Sequence, residues 1–199
     1  AEKCIIVLDI DAFYCQVEEL REPALREQPM GVFQKFLIVT CNYPARARGV
    51  TKLMRREEAQ EKCPELVLRS AEDTTPYRQA SKQVVDSLQS WANEHAGAIV
   101  ERLGMDEFCV DVTDAAKAYM VQGNERQWSG HVYMGTKDTV ETAEGLAGSA
   151  KCYRPMDLRV GKGSDENGGE SLASEEPLLV AGSHVAAELR AELLKKTGL

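Results

Sequence analysis

A chain of 199 residues with 43% hydrophobic content can bury a real core, and its longest apolar runs fall far short of the roughly 20 residues that a membrane span needs. The net charge of −8 speaks at first against a polyanionic partner, but residues 1–70 carry 11 basic and 11 acidic side chains while the remainder carries 13 and 21. No Asp or Glu occurs from Gln28 to Arg56, a window that holds Lys35, Arg46, Arg48, Lys52, Arg55 and Arg56. A local positive face of this kind is what phosphate contacts require, whatever the global sum; an ordinary solvated surface is the plainer alternative. No charged-apolar-small leader opens the chain, which reads as intracellular, and the missing initiator Met suggests a fragment or a processed start.

In chain order, Cys4–Leu8 is a short apolar run and reads as a central strand covered on both sides. It ends in Asp9. Phe13, Val17 and Leu20 then recur at helical spacing, with Asp11 as the expected N-cap. Phe36–Thr40 is a second β-rich run. Pro44 suits the first position of a short helix that Gly49 would close. Residues 55–63 look helical, bounded by Pro64.

Thr75-Pro76 opens the clearest helix, with Tyr77, Ala80, Val84, Leu88 and Trp91 as its core-facing stripe. Ala98–Leu103 and Phe108–Val112 alternate as two strands around a turn at Gly104–Glu107. From about Gly123 to Pro177, Gly, Ser, Asp and Glu accumulate, and the segment reads mostly as loop or disorder. A last helix runs from Ser183 through Val185, Leu189 and Leu193 and stops near Gly198.

The cysteines at 4, 15, 41, 63, 109 and 152 are scattered without a C-x-x-C pair, so they read as reduced core thiols. His95, His131 and His184 form no ligand spacing and read as structural. The carboxylates are more telling. Asp9 ends one strand, and Asp106-Glu107 sit at the tip of the hairpin. Carboxylates at strand ends are held precisely enough to flank divalent ions, and hard cations take oxygen ligands together with substrate phosphates. An Asp-Glu pair at a turn is also commonly just solvated. Thr40 with Tyr43-x-x-Arg46 sets a hydroxyl, a phenol and a guanidinium at a strand-to-helix corner, where all three can bond phosphate oxygens.

These residues fall into three motifs. Asp9-Ile10-Asp11-Ala12-Phe13-Tyr14-Cys15-Gln16-Val17-Glu18 resembles the first motif of the Y-family translesion DNA polymerases. Val39 to Arg46 with Gly49-Val50 resembles their fingers motif, and Leu103 to Glu107 with Val110 to Thr113 their second carboxylate motif. Within the family the likeness leans to the iota-type branch, through Gln34-Lys35, Ser129 to Tyr133, and Leu178 to Arg190. About 135–176 falls outside the resemblance and looks like an insertion.

The resemblance implies an α/β (α+β) fold: a palm of residues 1–12 and 73–199, its antiparallel sheet flanked by helices, and a small fingers lobe at 13–72. It implies template-directed deoxynucleotide addition opposite damaged bases, in the nucleus, with two Mg²⁺ ions or Mn²⁺. Asp9 and Asp106 would ligate the metals, the Ile10 carbonyl would assist with one, and Glu107 would complete the acidic set. Tyr14 would be the steric gate against ribose. Thr40, Tyr43 and Arg46 would hold the β- and γ-phosphates. Gln34, Lys35 and Leu37 would face the templating base, although Phe33 replaces an expected polar residue there.

Primer–template DNA and a deoxynucleoside triphosphate would be the partners, with a sliding clamp and other repair proteins engaged through a region beyond Leu199, and no membrane. Family members continue past that point into a thumb and a little finger, so a fragment or a truncated product is expected. Two rivals stand beside this reading. One is a nucleotidyl cyclase, which also sets strand-end aspartates on two metals; the other is a non-catalytic module that binds DNA or partners.

Overall fold

A computed structural model describes residues 2–122, 129 and 177–199. Its elements run β1 (Ile5–Asp9), α1 (Phe13–Arg21), a 3-10 turn (Pro23–Glu27), β2 (Met30–Gln34), β3 (Leu37–Cys41), α2 (Tyr43–Arg46) and α3 (Arg56–Lys62). β4 (Val67–Ser70), α4 (Thr75–Glu94), β5 (Ile99–Arg102), β6 (Glu107–Asp111), α5 (Thr113–Val121) and α6 (Pro177–Thr197) follow. The chain is a mixed α/β protein with two three-stranded sheets among the described residues.

The first sheet has the order β1-β6-β5 and is antiparallel throughout. Phe108 and Val110 of β6 point to one face and are fully buried, as is Val112 just beyond the strand. They share a core with Val84, Leu88 and Trp91 of α4 and with Ala181, Val185 and Leu189 of α6. The whole predicted stripe of α4 is buried, as an apolar face recurring at three and four residues requires. Gly182 lets α6 lie close against the start of β1: a methyl group there would overlap the Cys4 sulfur.

β1 does not have the doubly covered position expected from its apolar run. Among the described residues it is an edge strand, and its alternate face is open: Ile5 is 45% and Val7 70% exposed. The hairpin β5–β6 supplies its only neighbour within the sheet among the described residues, and the helices described cover one side alone. A continuous apolar run therefore stood here for a one-sided strand, an ambiguity that periodicity cannot resolve in five residues.

The second sheet has the order β3-β2-β4, with β2–β3 antiparallel and β2–β4 parallel. The β2–β3 turn is two residues long, Lys35 and Phe36, and Lys35 takes the left-handed φ of 53° that such tight turns use. Ile38, Ala45, Val50, Met54, Ala59 and Leu66 pack beneath this sheet. A middle cluster of Phe13, Val17, Leu25, Met30, Val32 and Tyr77 joins α1, β2 and α4. Phe13 and Val17 are buried as expected, whereas Leu20 is 38% exposed.

Three expected helix starts move. Ala12, not Asp11, is the residue before α1; it sits at φ 50° with no side-chain cap, and the Asp11 carboxylate is engaged elsewhere. α2 starts at Tyr43, so Pro44 takes its second position; Asn42 caps it by accepting from the Ala45 N–H at 3.2 Å. α6 starts at Pro177, six residues before Ser183. The expectations for His131, Cys152, residues 130–133 and the 135–176 insertion lie outside the described residues.

Gly49 closes the α2 corner in the expected way. The Val50 N–H donates to the Ala45 carbonyl at 3.1 Å and the Gly49 N–H to Arg46 at 2.9 Å, the paired bonds of a Schellman ending. Gly49 has a φ of 83°, and a Cβ there would meet nothing within 4 Å. Gly49→Ala is therefore expected to cost only the left-handed backbone term, roughly 1–2 kcal/mol. A denaturant titration checks this, and a loss beyond about 3 kcal/mol would indicate a steric role that the geometry lacks.

Candidate active site

The acids are brought together by strand pairing. Asp9 is the last residue of β1 and lies directly opposite Glu107, the first of β6. Directly paired residues of antiparallel strands project to the same face, so these two carboxylates leave the sheet side by side. The Ile10 N–H donates to the Asp106 carbonyl at 3.0 Å and extends the pairing past the strand ends.

The turn that presents Asp106 is held from within and from behind. The Leu103 and Gly104 N–H groups donate to the Glu107 carbonyl at 2.9 and 3.1 Å. The Ser81 hydroxyl of α4 donates to the Met105 carbonyl at 2.5 Å. The hairpin tip is thus bolted to α4, and Ser81 is fully buried in doing so.

Asp9, Ile10, Asp106 and Glu107 form one wall of a cleft of about 430 Å³. Tyr14, Gln34, Thr40 and Arg46 also line it, with Asp11, Lys52 and Met105. Tyr43 opens instead onto a neighbouring cleft of about 420 Å³ that shares Asp11. Lys35 lies in the β2–β3 turn and Leu37 just after it, and neither lines these two clefts; the Lys35 N–H donates to Glu72, and Gln34 reaches back to the Ala71 carbonyl at 2.9 Å.

The electrostatics of the cleft are uneven. Burial pushes the Asp106 carboxyl above the ordinary aspartate range, and the nearby Asp9 charge pushes it further, against a partly offsetting Lys52. A carboxyl held above its ordinary range by burial and a neighbouring acid is an arrangement that a bound cation relieves. Among the described residues no three His, Cys, Asp or Glu side chains converge into a preformed metal cage. Mg²⁺ does not require one: it is commonly held by one or two carboxylates and completes its shell with phosphates and water. The hard oxygen donors at this open cleft therefore fit such an ion.

Tyr14 lies flat against Tyr77, with ring centroids 4.2 Å apart and planes 22° from parallel. The Tyr77 hydroxyl donates to the buried Glu18 carboxylate at 2.9 Å, which also receives Arg21 at 2.8 Å. Burial, then the Asp106 charge, raises the Tyr14 pKa above its usual value, so its hydroxyl stays neutral near pH 7.

On the opposite wall, Arg46 donates through Nε to the Cys41 carbonyl at 3.0 Å and through an Nη to Asp11 at 3.2 Å. The Tyr43 hydroxyl donates to the same Asp11 carboxylate, and the guanidinium lies 4.8 Å from the Tyr43 ring centroid. Partial burial works against the Arg46 charge, but the Asp11 carboxylate outweighs it and the pKa rises.

Sequence reasoning gave Asp11 a capping role and Lys52 only a place in a basic window, and both belong to the cleft. Asp11 carried a signal in its position two residues past Asp9, on the turn out of β1. Lys52 carried none beyond its charge. His95 accepts its expected structural place, stacked on Trp91 at 4.0 Å and bonded to the Trp91 carbonyl at 2.8 Å. His184 stacks on Tyr119 at 4.9 Å. Cys4, Cys15, Cys41, Cys63 and Cys109 are free thiols, the first four buried.

A chain with strand-end acids facing an arginine and a hydroxyl across one cleft has the makings of a nucleotide-handling protein, and comparison with known sequences names the group. Residues 8–199 match the impB/mucB/samB family, and the chain belongs to this Y-family. It is 47% identical over 135 residues to DNA polymerase iota of Drosophila melanogaster, covering 66% of this chain and 18% of that protein. It is 35% identical over 204 residues to DNA polymerase iota of Mus musculus, covering 100% and 23%. DNA polymerase eta of Drosophila melanogaster is 32% identical over 219 residues, covering 99% and 24%. The chain thus spans about a fifth to a quarter of the length of these relatives. Among the described residues, no helix is long and apolar enough to cross a membrane.

Proposed function

We propose that this chain is the palm and fingers portion of a translesion DNA polymerase that adds deoxynucleotides to a primer opposite damaged template bases. The observation that carries the reading is the single cleft shared by Asp9, Asp106, Glu107, Tyr14, Thr40 and Arg46. The named relatives are DNA polymerases. In this reading the sheet β1-β6-β5 with α4, α5 and α6 is the palm, and the sheet β3-β2-β4 with its helices is the fingers lobe.

Asp9, Asp106 and the Ile10 carbonyl would hold two Mg²⁺ ions, or Mn²⁺, with Glu107 completing the acidic set near the primer terminus. The ions supply charge neutralisation at the transferred phosphoryl group and sharpen the primer hydroxyl as a nucleophile. The protein's own share is positioning. Arg46, Thr40 and Tyr43 hold the β- and γ-phosphates of a deoxynucleoside triphosphate, and Lys52 adds positive charge beside Asp106. As the primer 3′ oxygen bonds to the α-phosphorus, the bond to the β-phosphate oxygen breaks and pyrophosphate leaves. Little covalent work falls to side chains in such transfers, so orientation and electrostatics carry the rate.

Gln34, Lys35 and Leu37 at the β2–β3 turn meet the templating base. The duplex runs along the basic stretch from Gln28 to Arg56. A nuclear location and contacts to a sliding clamp belong to the same reading.

Tyr14 is the sugar gate: its ring, backed by Tyr77, leaves no room for a ribose 2′ hydroxyl. Tyr14→Ala is expected to raise the ratio of ribonucleotide to deoxynucleotide incorporation by at least about tenfold, a discrimination of roughly 1.4 kcal/mol. Single-nucleotide extension of a primed template measures it. An unchanged ratio counts against the gate, and cyclic nucleotide formation without any primer would replace the polymerase reading with a cyclase.

A further inference from the structure

We infer that Asp11 is a resident counter-anion of the phosphate-binding pair, a positioning residue that the incoming triphosphate must displace. The inference rests on the phosphate role proposed above for Tyr43 and Arg46. Both side chains are already satisfied by one carboxylate: Tyr43 donates its hydroxyl to Asp11 and Arg46 donates an Nη at 3.2 Å. A phosphate oxygen would seek the same two donors. Asp11 stands on the border of both clefts, between the acidic wall and the basic one.

Two functions could follow from this contact. The carboxylate could preorganise the pair, or it could compete with the ligand. The geometry favours competition. Arg46 is anchored without Asp11, through Nε to the Cys41 carbonyl at 3.0 Å and by its contact with the Tyr43 ring at 4.8 Å. Tyr43 and Arg46 both lie on the short α2, held by the Asn42 cap. Asp11 is held more loosely. Its side chain is 48% exposed, and its backbone carbonyl, not its carboxylate, is fixed by Gln16 at 2.7 Å. The carboxylate can swing away while the Arg46 guanidinium stays in place.

The consequence is selectivity among anions. An exposed ion pair is weak, so a polyanion bringing several charges displaces Asp11 readily, whereas a monoanion or dianion gains little by doing so. The empty pair meanwhile does not capture phosphate from solution. A residue serving this purpose would reside where Asp11 does, within reach of the donors and facing solvent.

The test is binding of dATP and of inorganic tripolyphosphate, each with Mg²⁺, to the whole protein by calorimetry, together with steady-state primer extension. Asp11→Asn is expected to tighten both ligands roughly three- to tenfold, to let inorganic phosphate compete, and to place its kinetic effect on KM, which falls. In an Arg46→Ala background the same substitution is expected to have at most a small effect, since the guanidinium that carboxylate and phosphate compete for is gone and only the Tyr43 hydroxyl remains. Weaker binding, an unchanged KM, or an equal effect of Asp11→Asn with and without Arg46 would overturn the inference. Should Arg46→Ala bind both ligands as wild type does, the phosphate reading itself fails and the inference falls with it. Should Arg46→Ala weaken binding while Asp11→Asn does not tighten it, only the inference falls.

Discussion

Asp106→Asn is expected to lower primer extension by the whole protein at least about 10³-fold, a barrier increase of roughly 4 kcal/mol, while DNA affinity changes by less than about twofold. The asymmetry follows from where the side chain stands. Asp106 faces the cleft beside Asp9 as one of its four carboxylates, so its loss removes charge from the proposed reacting centre. Of the basic stretch proposed to follow the duplex, Arg46 and Lys52 share its cleft, and Arg46 is proposed to hold the triphosphate. Extension and gel-shift measurements on the same samples decide the matter. Retained extension would remove Asp106 from the metal set, and a parallel loss of DNA binding would assign it to the duplex surface instead.

The same substitution carries an opposite expectation for stability. The folded protein holds the Asp106 pKa above its usual value, through burial and then the Asp9 charge. A raised carboxyl pKa stabilises the fold below the unfolded value near 3.9, and that contribution is lost as pH rises through the folded one. At pH 7 the ionised carboxylate is therefore a net cost, modest because solvent screens it. Without divalent metal, Asp106→Asn is expected to raise Tm by about 1–3 °C at pH 7, with the gain vanishing near pH 4. Adding Mg²⁺ should raise Tm of the wild type and leave the variant unmoved, because only a ligand that binds the native state shifts the equilibrium. Both results together would fit a binding function for Asp106 better than a structural one.

The sequence made the acidic wall legible because strand pairing is local arithmetic. An apolar run ending in Asp9, and a hairpin turn carrying Asp106 and Glu107, need only the antiparallel partnership of β1 and β6 to meet. The α4 stripe and the Gly49 ending were legible for similar reasons, since periodicity and left-handed backbone geometry leave direct marks. β2 and β4 left weaker marks. Met30–Gln34 includes a glycine and bends at a register shift between Val32 and Phe33, and Val67–Ser70 is a four-residue parallel strand whose pairing with β2 is set by distant contacts. α5 escaped because Thr113–Val121 buries little beyond Ala116. Asp11 was misassigned because capping and ion pairing demand the same residue type; only the positions of Tyr43 and Arg46, more than thirty residues away, separate the two.

The open face of β1 leads to the second large expectation. Phe108→Ala is expected to destabilise the protein by about 3–5 kcal/mol, whereas Val7→Ala should cost less than about 0.5 kcal/mol. Phe108 is fully buried in the central strand, and its backbone pairs with Leu8 on one side and Arg102 on the other. Truncation leaves a cavity in the one core that couples this sheet to α4 and α6, and the strand that would have to collapse into it is held from both sides. Against a total stability of roughly 5–15 kcal/mol, the loss lowers Tm by about 10 °C or more and compromises the placement of Glu107, the adjacent residue. Val7 is 70% exposed on the same sheet and has little to lose. Chemical denaturation of the two variants reads the contrast directly. Were Val7→Ala as costly as Phe108→Ala, the outer face of β1 would be covered in solution, and the one-sided packing assigned to this strand would have to give way to the doubly covered one that its apolar run first suggested.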